Sequence, residues 1–275
     1  VSRAKALGMQ SLAITDHGVM FGVVDFYKEC RKQDIKPIIG CEIYVTRGSR
    51  FDKSGNGKEK LARLILLAEN NEGYQNLIKI CSKAWTEGYY HRPRADHELL
   101  EKYHEGLIVT SACVGGEVPQ AILNGDMDEA RKVIEFYINT FGKDNYFLEI
   151  QNHGLPEEAA ARPVLASLAK EYGLGLVATN DFHYTKKEDA RSQEIKLCIS
   201  TGKTLDDPYH FHFANDEFYC KSGDEMRAIL GNFPGAIENT RVIADRCNVE
   251  LTFGEHKLPS FDVPEGETAA SYLRK

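Results

Sequence analysis

SLAITDHGVMFGVVDFYKECRKQDIKPIIGCEIYV, residues 11–45, decides the fold. Ser11 to Asp16 is a short apolar run that reads as a buried strand. Phe21 to Asp34 then carries apolar residues at helical spacing, and Lys36 to Val45 is a second strand. Both strand runs are continuous rather than alternating, the pattern of strands covered on both faces in a parallel sheet. The rhythm repeats outward. Arg63 to Glu69, Gly106 to Ala112, Tyr146 to Gln151 and Gly175 to Asp181 read as further strands, with helical segments over 70–85, 117–141, 156–172 and 186–199. Six strand candidates with helices between them predict an α/β fold, either a (β/α) barrel or a doubly wound sheet. Either arrangement gathers its chemistry at the C-terminal ends of the strands.

After about residue 200 the rhythm breaks. TGKTLDDPYHFHFAND is polar and aromatic, residues 221–233 and 234–251 read as two short helices, and Ser222 is a suitable N-cap for the first. An extended stretch through Pro259 and Pro264 then leads into a new helix. The expected division is a barrel over residues 1–200, with the end of that region and a connector over 201–275. The opening VSRAKALGMQ reads as the tail of a helix and the closing AASYLRK as the start of one, so both ends are expected to continue in a longer polypeptide.

The chain has 275 residues, 42% hydrophobic and 27% charged, with mean hydropathy −0.40, ordinary values for a globular protein. No apolar run approaches the roughly 20 residues of a membrane-spanning helix. Thirty-four Lys and Arg stand against 41 Asp and Glu, a net charge of −7. That balance excludes a stand-alone duplex-DNA binder, whose affinity rests on a basic surplus. Any service to nucleic acid is therefore local or through a partner. Seven cysteines without a CxxC pair, and the lack of a secretory signal, point to reduced thiols and a cytoplasmic setting.

Carboxylates and imidazoles recur where the strands end: Asp16 and His17, Glu42, Glu149 with Gln151 and His153, and Asp181 with His183. Cys113 adds a thiol after Gly106 to Ala112. Charges clustered at one mouth cost several kcal/mol each, on the order expected for buried ions, unless something compensates them. A divalent cation does so, and a mixed His/Asp/Glu set suits Zn²⁺, Mn²⁺ or Fe²⁺ better than Mg²⁺ or Ca²⁺. The implied reaction is phosphoester hydrolysis by an ion-activated water. Taken singly, each of these residues also has an ordinary structural reading: Asp16 as a cap, Cys113 as a small buried residue. Glu42, inside an apolar strand, resists one. His210 and His212 have chelating spacing in an irregular segment and read better as surface. Tyr89 to Arg94, YYHRPR, suits either a phosphate or unstacked-base contact, or a solvated loop held by stacked rings. His97, His104 and His256 read as surface, and Trp85 as core.

These motifs, in this order, resemble the PHP (polymerase and histidinol phosphatase) domain of the bacterial replicative polymerases of the DNA polymerase III alpha family. The likeness spans nearly the whole chain. It includes LGMQSLAITDHG, IKPIIGCEIYV, LILLAENNEGYQNLIKICSKAWTEG, IVTSACVGGEVP, YFLEIQNHG, VATNDFHY and LPSFDVPEGETAASYLR. The resemblance implies a distorted (β/α)7 barrel with a centre of up to three ions at its mouth. His17, Glu42, Cys113, Asp181 and His183 would be the metal ligands. Asp181, His183 and His17 would carry catalysis through the ion's water. Asp16, Arg63, Glu149 and His153 would line the site. The family's first motif, an HxH pair, would lie before Val1, leaving the barrel without its first strand. Where many relatives have a ligand histidine, this sequence has Arg63, whose guanidinium cannot ligate. The resemblance further implies a parent that synthesises DNA with Mg²⁺ in a palm beyond Lys275. Its partners would be DNA, other replicase subunits and a separate proofreading exonuclease subunit. For the segment itself, a metal-dependent 3′–5′ exonuclease, a non-catalytic scaffold that docks that subunit, and a histidinol-phosphatase-like phosphoesterase remain as alternatives.

Overall fold

A computed structural model describes residues 1–54, 61–255 and 261–275; His256 and Pro259 lie outside the described residues. The strands are β1 (Ser11–Ile14), β2 (Lys36–Val45), β3 (Ala62–Ala68), β4 (Arg94–Ala95), β5 (Leu107–Thr110), β6 (Tyr146–Ile150) and β7 (Gly175–Ala178). The helices are α1 (Ser2–Ala6), α2 (Val23–Lys32), α3 (Asn71–Thr86), α4 (His97–Lys102), α5 (Glu117–Leu123), α6 (Met127–Phe141), α7 (Pro156–Tyr172), α8 (Ala190–Thr201), α9 (Gly223–Leu230), α10 (Glu238–Arg246) and α11 (Ala269–Leu273). The helices start where local chemistry starts them. The Asn70 and Ser222 side chains accept from the N–H groups of Gly73 and Glu225, and Glu225 returns the bond to the Ser222 N–H.

One curled sheet runs in the order β1-β2-β3-β5-β6-β7, with β4 paired to β2. The pairs β1–β2, β5–β6 and β6–β7 are parallel, but β3 is antiparallel to both β2 and β5. This corrects the expectation of a wholly parallel sheet. A parallel return needs a crossover, usually a helix, and no helix is assigned between β2 and β3 among the described residues. The reversal has a functional consequence. Arg63, at the start of β3, stands at the same sheet edge as the C-terminal ends of its neighbours, opposite Tyr44 of β2. The 117–141 segment also differs from a single helix, breaking at Asn124–Asp126 into α5 and α6.

Along the outer face, Ile39, Cys41 and Ile43 of β2, Leu64 and Leu66 of β3, and Leu148 and Ile150 of β6 pack into the main core. The other face divides in two. Toward one end, Ile38, Leu67, Ile108, Phe147 and Val177 form an apolar floor closed by Ile243, Ala244 and Cys247 at α10. The chain after residue 200 thus returns into the sheet. The Lys36 ammonium donates to the Ala244 carbonyl (2.5 Å), and Arg246 pairs with Glu69 (2.9 Å). At the opposite end the same face presents Glu42, Arg63, Thr110 and Glu149, the residues of the mouth.

Candidate metal centre

Backbone pairing sets His17 beside Glu42. Beyond β1, the Glu42 N–H donates to the Asp16 carbonyl (3.0 Å) and the Gly18 N–H to the Glu42 carbonyl (2.8 Å). His17 Nε2 then lies 3.4 Å from Glu42 Oε2, while Arg63 Nη1 donates to Glu42 Oε1 at 3.0 Å. Glu42 is only 4% exposed, so its charge depends on these two neighbours. The second group comes from the far end of the sheet. After β7, Asp181 adopts a left-handed φ of 40°, a conformation that Asp tolerates better than most residues and that concentrates at functional sites. Its Oδ1 lies 3.4 Å from His183 Nε2. The His183 N–H donates to the Phe218 carbonyl (2.9 Å), and its ring packs on Phe213. Curling of the sheet brings the His17 and His183 rings to 6.0 Å between centroids.

The remaining predicted residues surround these two pairs. Cys113 follows Ala112, which has a φ of 60°, and its sulfur accepts from the Gly115 N–H at 3.4 Å. Glu149 is buried, accepting from the Thr110 and Thr179 hydroxyls and from Gln151 Nε2 (2.9 Å). His153 is buried with both ring nitrogens engaged, Nδ1 with Glu158 Oε1 and Nε2 with the Asn180 carbonyl, each at 2.6 Å. It therefore fixes the loop that carries Asp181 instead of offering a free nitrogen. Asp16 contributes its carbonyl, while its side chain is exposed.

Burial pushes the Glu42 carboxyl up to about 7; Arg63 pulls it down, and Asp181 and Glu149 push it further up. Burial, then Arg63, lowers His17 to about 4, leaving a neutral imidazole at pH 7. Burial alone would raise Asp181, but the His183 hydrogen bond and the nearby imidazoles outweigh it and hold the carboxyl below its usual range. Burial raises the Cys113 thiol to about 12, and burial raises Glu149 as well. The pocket thus combines neutral imidazole with carboxylates that repel one another, the donor chemistry of a divalent cation site. Two imidazoles sharing one ion at about 2.0–2.1 Å per nitrogen have ring centres roughly 5–6 Å apart, which the His17–His183 separation approaches. Among the described residues, no three His, Cys, Asp or Glu side chains already stand close enough together to hold an ion. The donors fit in kind and stand as two pairs, with Arg63 on one of them.

Other expectations fared differently. His210 and His212 are engaged by other partners, His210 with Glu194 (2.8 Å) and His212 with the Phe213 carbonyl (3.0 Å). His97 is half-buried, stacked on Phe136 and 3.1 Å from Glu117, because α4 leans on α6. Trp85 is 43% exposed and not a core residue, since the buried face of α3 is Leu77, Ile80, Cys81 and Ala84. Arg92 falls within the Tyr89–Arg94 stretch that suits a phosphate or base contact, whereas no motif points to Tyr44. Tyr44 stands two residues beyond Glu42 on the same strand face and edge-on to His17, a placement that strand alternation alone would have given. All seven cysteines are free, and no described helix is long and apolar enough to cross a membrane.

Comparison with known proteins adds a lineage. The chain is 47% identical to DNA polymerase III subunit alpha of Thermus aquaticus, over 96% of this chain and 22% of that one. It is 45% identical to the protein of that name from Treponema pallidum, over 100% and 24%. It therefore spans about a quarter or less of the length of these relatives. A solved structure from Bifidobacterium adolescentis, described as a candidate metal-dependent phosphoesterase, aligns over 84% of this chain at 15% identity and a TM-score of 0.41, too loosely to carry an argument. The family model for the PHP domain matches residues 1–153, which include His17, Glu42, Arg63, Cys113 and Glu149. The chain belongs to the PHP domain family.

Proposed function

We propose that this chain is the PHP region of a bacterial replicative DNA polymerase alpha subunit, and that its mouth binds a divalent cation and hydrolyses a phosphodiester at a strand end. One observation carries the catalytic part: His17 with Glu42 and Asp181 with His183, from opposite ends of the sheet, meet at a ring separation of 6.0 Å. His17, Glu42, Asp181 and His183 would hold the ion, with Cys113 as a further ligand, and the donor set suits Zn²⁺ or Mn²⁺. When bound, the cation supplies Lewis acidity toward phosphoryl oxygen and lowers the pKa of a water.

The chain's own residues prepare that site. Neutral His17 keeps a nitrogen lone pair available at pH 7, and Asp181 stays ionised beside His183. Arg63 balances Glu42 and keeps N–H donors that suit a phosphoryl oxygen. His153, clamped by Glu158, holds the Asn180 carbonyl and with it the Asp181 loop. Phe213 and Phe218 shield the far side of His183. The names of the relatives support a parent polypeptide that carries out DNA-directed DNA synthesis with DNA and other replicase subunits; a separate proofreading exonuclease subunit would be a further partner.

A second reading has its own observation. The 3.0 Å contact from Arg63 supplies positive charge to Glu42 from within the protein, as a scaffold without an ion would require. Metal analysis of the intact polypeptide after dialysis against Zn²⁺ or Mn²⁺, together with hydrolysis of a 3′-labelled single strand, separates the two. The hydrolytic reading expects a stoichiometric ion and trimming that Asp181→Asn abolishes. A metal-free protein, indifferent to chelator in both stability and activity, overturns it and leaves the scaffold.

A further inference from the structure

The rim of the mouth carries an aromatic and cationic feature that the hydrolytic chemistry does not use. Trp85, in the last turn of α3, stacks on Tyr89 with ring centroids 5.2 Å apart and planes 12° from parallel. The two rings are 43% and 45% exposed. They are tied to the centre, because the Trp85 Nε1–H donates to the carbonyl of Gly18, next to His17, at 2.8 Å. Gly18 has a φ of 68°, and a Cβ there would come within 2.7 Å of Pro93 Cγ, so the 89–94 loop rests directly on the His17 turn. A tight reversal, with Tyr90 N–H donating to the Arg92 carbonyl (3.0 Å) and His91 at a φ of 60°, turns Arg92 outward. Its guanidinium lies 5.8 Å from the Tyr44 ring, which itself faces His17 edge-on at 6.4 Å. Arg92 pairs with no carboxylate among the described residues, although acidic side chains outnumber basic ones in the sequence.

Half-exposed stacked rings beside an unpaired guanidinium are the parts of a platform for single-stranded nucleic acid. Bases of any sequence stack on such rings, and the cation takes a phosphate. We propose that the rim formed by Trp85, Tyr89 and Arg92 binds the terminal nucleotides of a single strand, with a base on the aromatic pair and a phosphate on Arg92, and so leads the strand end past Tyr44 to the centre. The delivery clause rests on the hydrolytic reading above; the binding does not. The field of Arg92 also reaches His17, where it is one of the charges that lower the imidazole pKa. An acidic protein with one local cation and two rings would bind a single strand weakly and locally, as a guide into a site rather than a storage groove.

The test uses the intact polypeptide that carries this chain and an oligodeoxythymidylate ending in 3′-terminal 5-iododeoxyuridine, photocrosslinked in EDTA and mapped by mass spectrometry. The expected crosslink falls on Trp85 or Tyr89. Tyr89→Ala lowers the yield roughly tenfold, in the range of one lost stacking contact. Arg92→Ala weakens binding and lowers the slope of log affinity against log salt by about 0.7, and Arg92→Lys restores that slope. Because Trp85 also holds the Gly18 turn, Trp85→Phe serves as its variant. Crosslinks that map elsewhere, or yields and salt slope unchanged in Tyr89→Ala and Arg92→Ala, overturn the proposal. A rim crosslink in a protein that never hydrolyses the strand supports the platform and sinks the hydrolytic reading. Normal hydrolysis with unchanged KM in both rim variants sinks the platform alone.

Discussion

The floor and the mouth of the sheet's inner face are built from the same strands, one or two residue pairs apart, yet they obey different rules. In β2 the sequence passes from Ile38 to Glu42, in β5 from Ile108 to Thr110, and in β6 from Phe147 to Glu149, each step keeping to the same face. The floor is closed by α10 and holds only apolar side chains. The mouth holds two buried or half-buried carboxylate–imidazole pairs and a guanidinium. Burial stabilises the first region, while the second bears a cost that its ion pairs and hydrogen bonds only partly offset. Stability and chemistry are thus separated along each strand, and substitutions should separate them too.

The largest effect on stability belongs to the floor. Ile108→Ala, at a fully buried position, should lower unfolding free energy by about 2–5 kcal/mol in denaturant titration and leave ion stoichiometry unchanged. A mouth variant does the reverse. Asp181→Asn should cost roughly 100-fold or more in strand hydrolysis, since even the outer partners of a metal ligand are worth 10–100-fold, with little change in Tm. Equal losses of fold and activity in both variants would break the distinction.

Arg63→Met probes how far the mouth itself contributes to stability. It leaves Glu42 buried without its strongest partner and should destabilise by about 1–3 kcal/mol, less than for a fully enclosed pair because the Arg63 side chain is 35% exposed. Arg63→His should instead raise the number of ions bound, as read by metal analysis. The smallest effect concerns pH. Burial alone would raise the Glu158 carboxyl, but the hydrogen bonds and charge of His153 hold it below its ordinary value of 4.5. Its contribution is therefore complete above pH 4.5 and fades as pH falls through the lowered folded value. Glu158→Gln should flatten that part of the acid limb in a stability–pH profile.

Much of this was legible beforehand. The limits of β2, read from Lys36 to Val45, and of α7, read from Pro156 to Tyr172, coincide with the structure, because β2 is a long apolar run and α7 is bounded by Pro156 at its start and Gly173, at a φ of 61°, just past its end. Glu42 stood out as a carboxylate within an apolar strand. The direction of β3 was not legible, since an apolar run looks the same read either way; only its partners fix it. For the same reason Arg63 looked like a missing ligand, and its contact with Glu42 followed only from the antiparallel register. Gln151, two residues on, is a local partner of Glu149, but Thr110 and Thr179 come from the ends of two other strands, and no local spacing announces them. Trp85 was misread because a large aromatic on an amphipathic helix usually faces the core, and here it faces the rim.

The most direct test of the centre is equilibrium dialysis of the intact polypeptide against Zn²⁺ or Mn²⁺, with one substitution at each end of the sheet, His17→Ala and Asp181→Ala. A shared centre predicts that the wild type binds a stoichiometric ion and that either change alone removes it. An ion that survives both changes, or a wild type that binds none, would contradict the account.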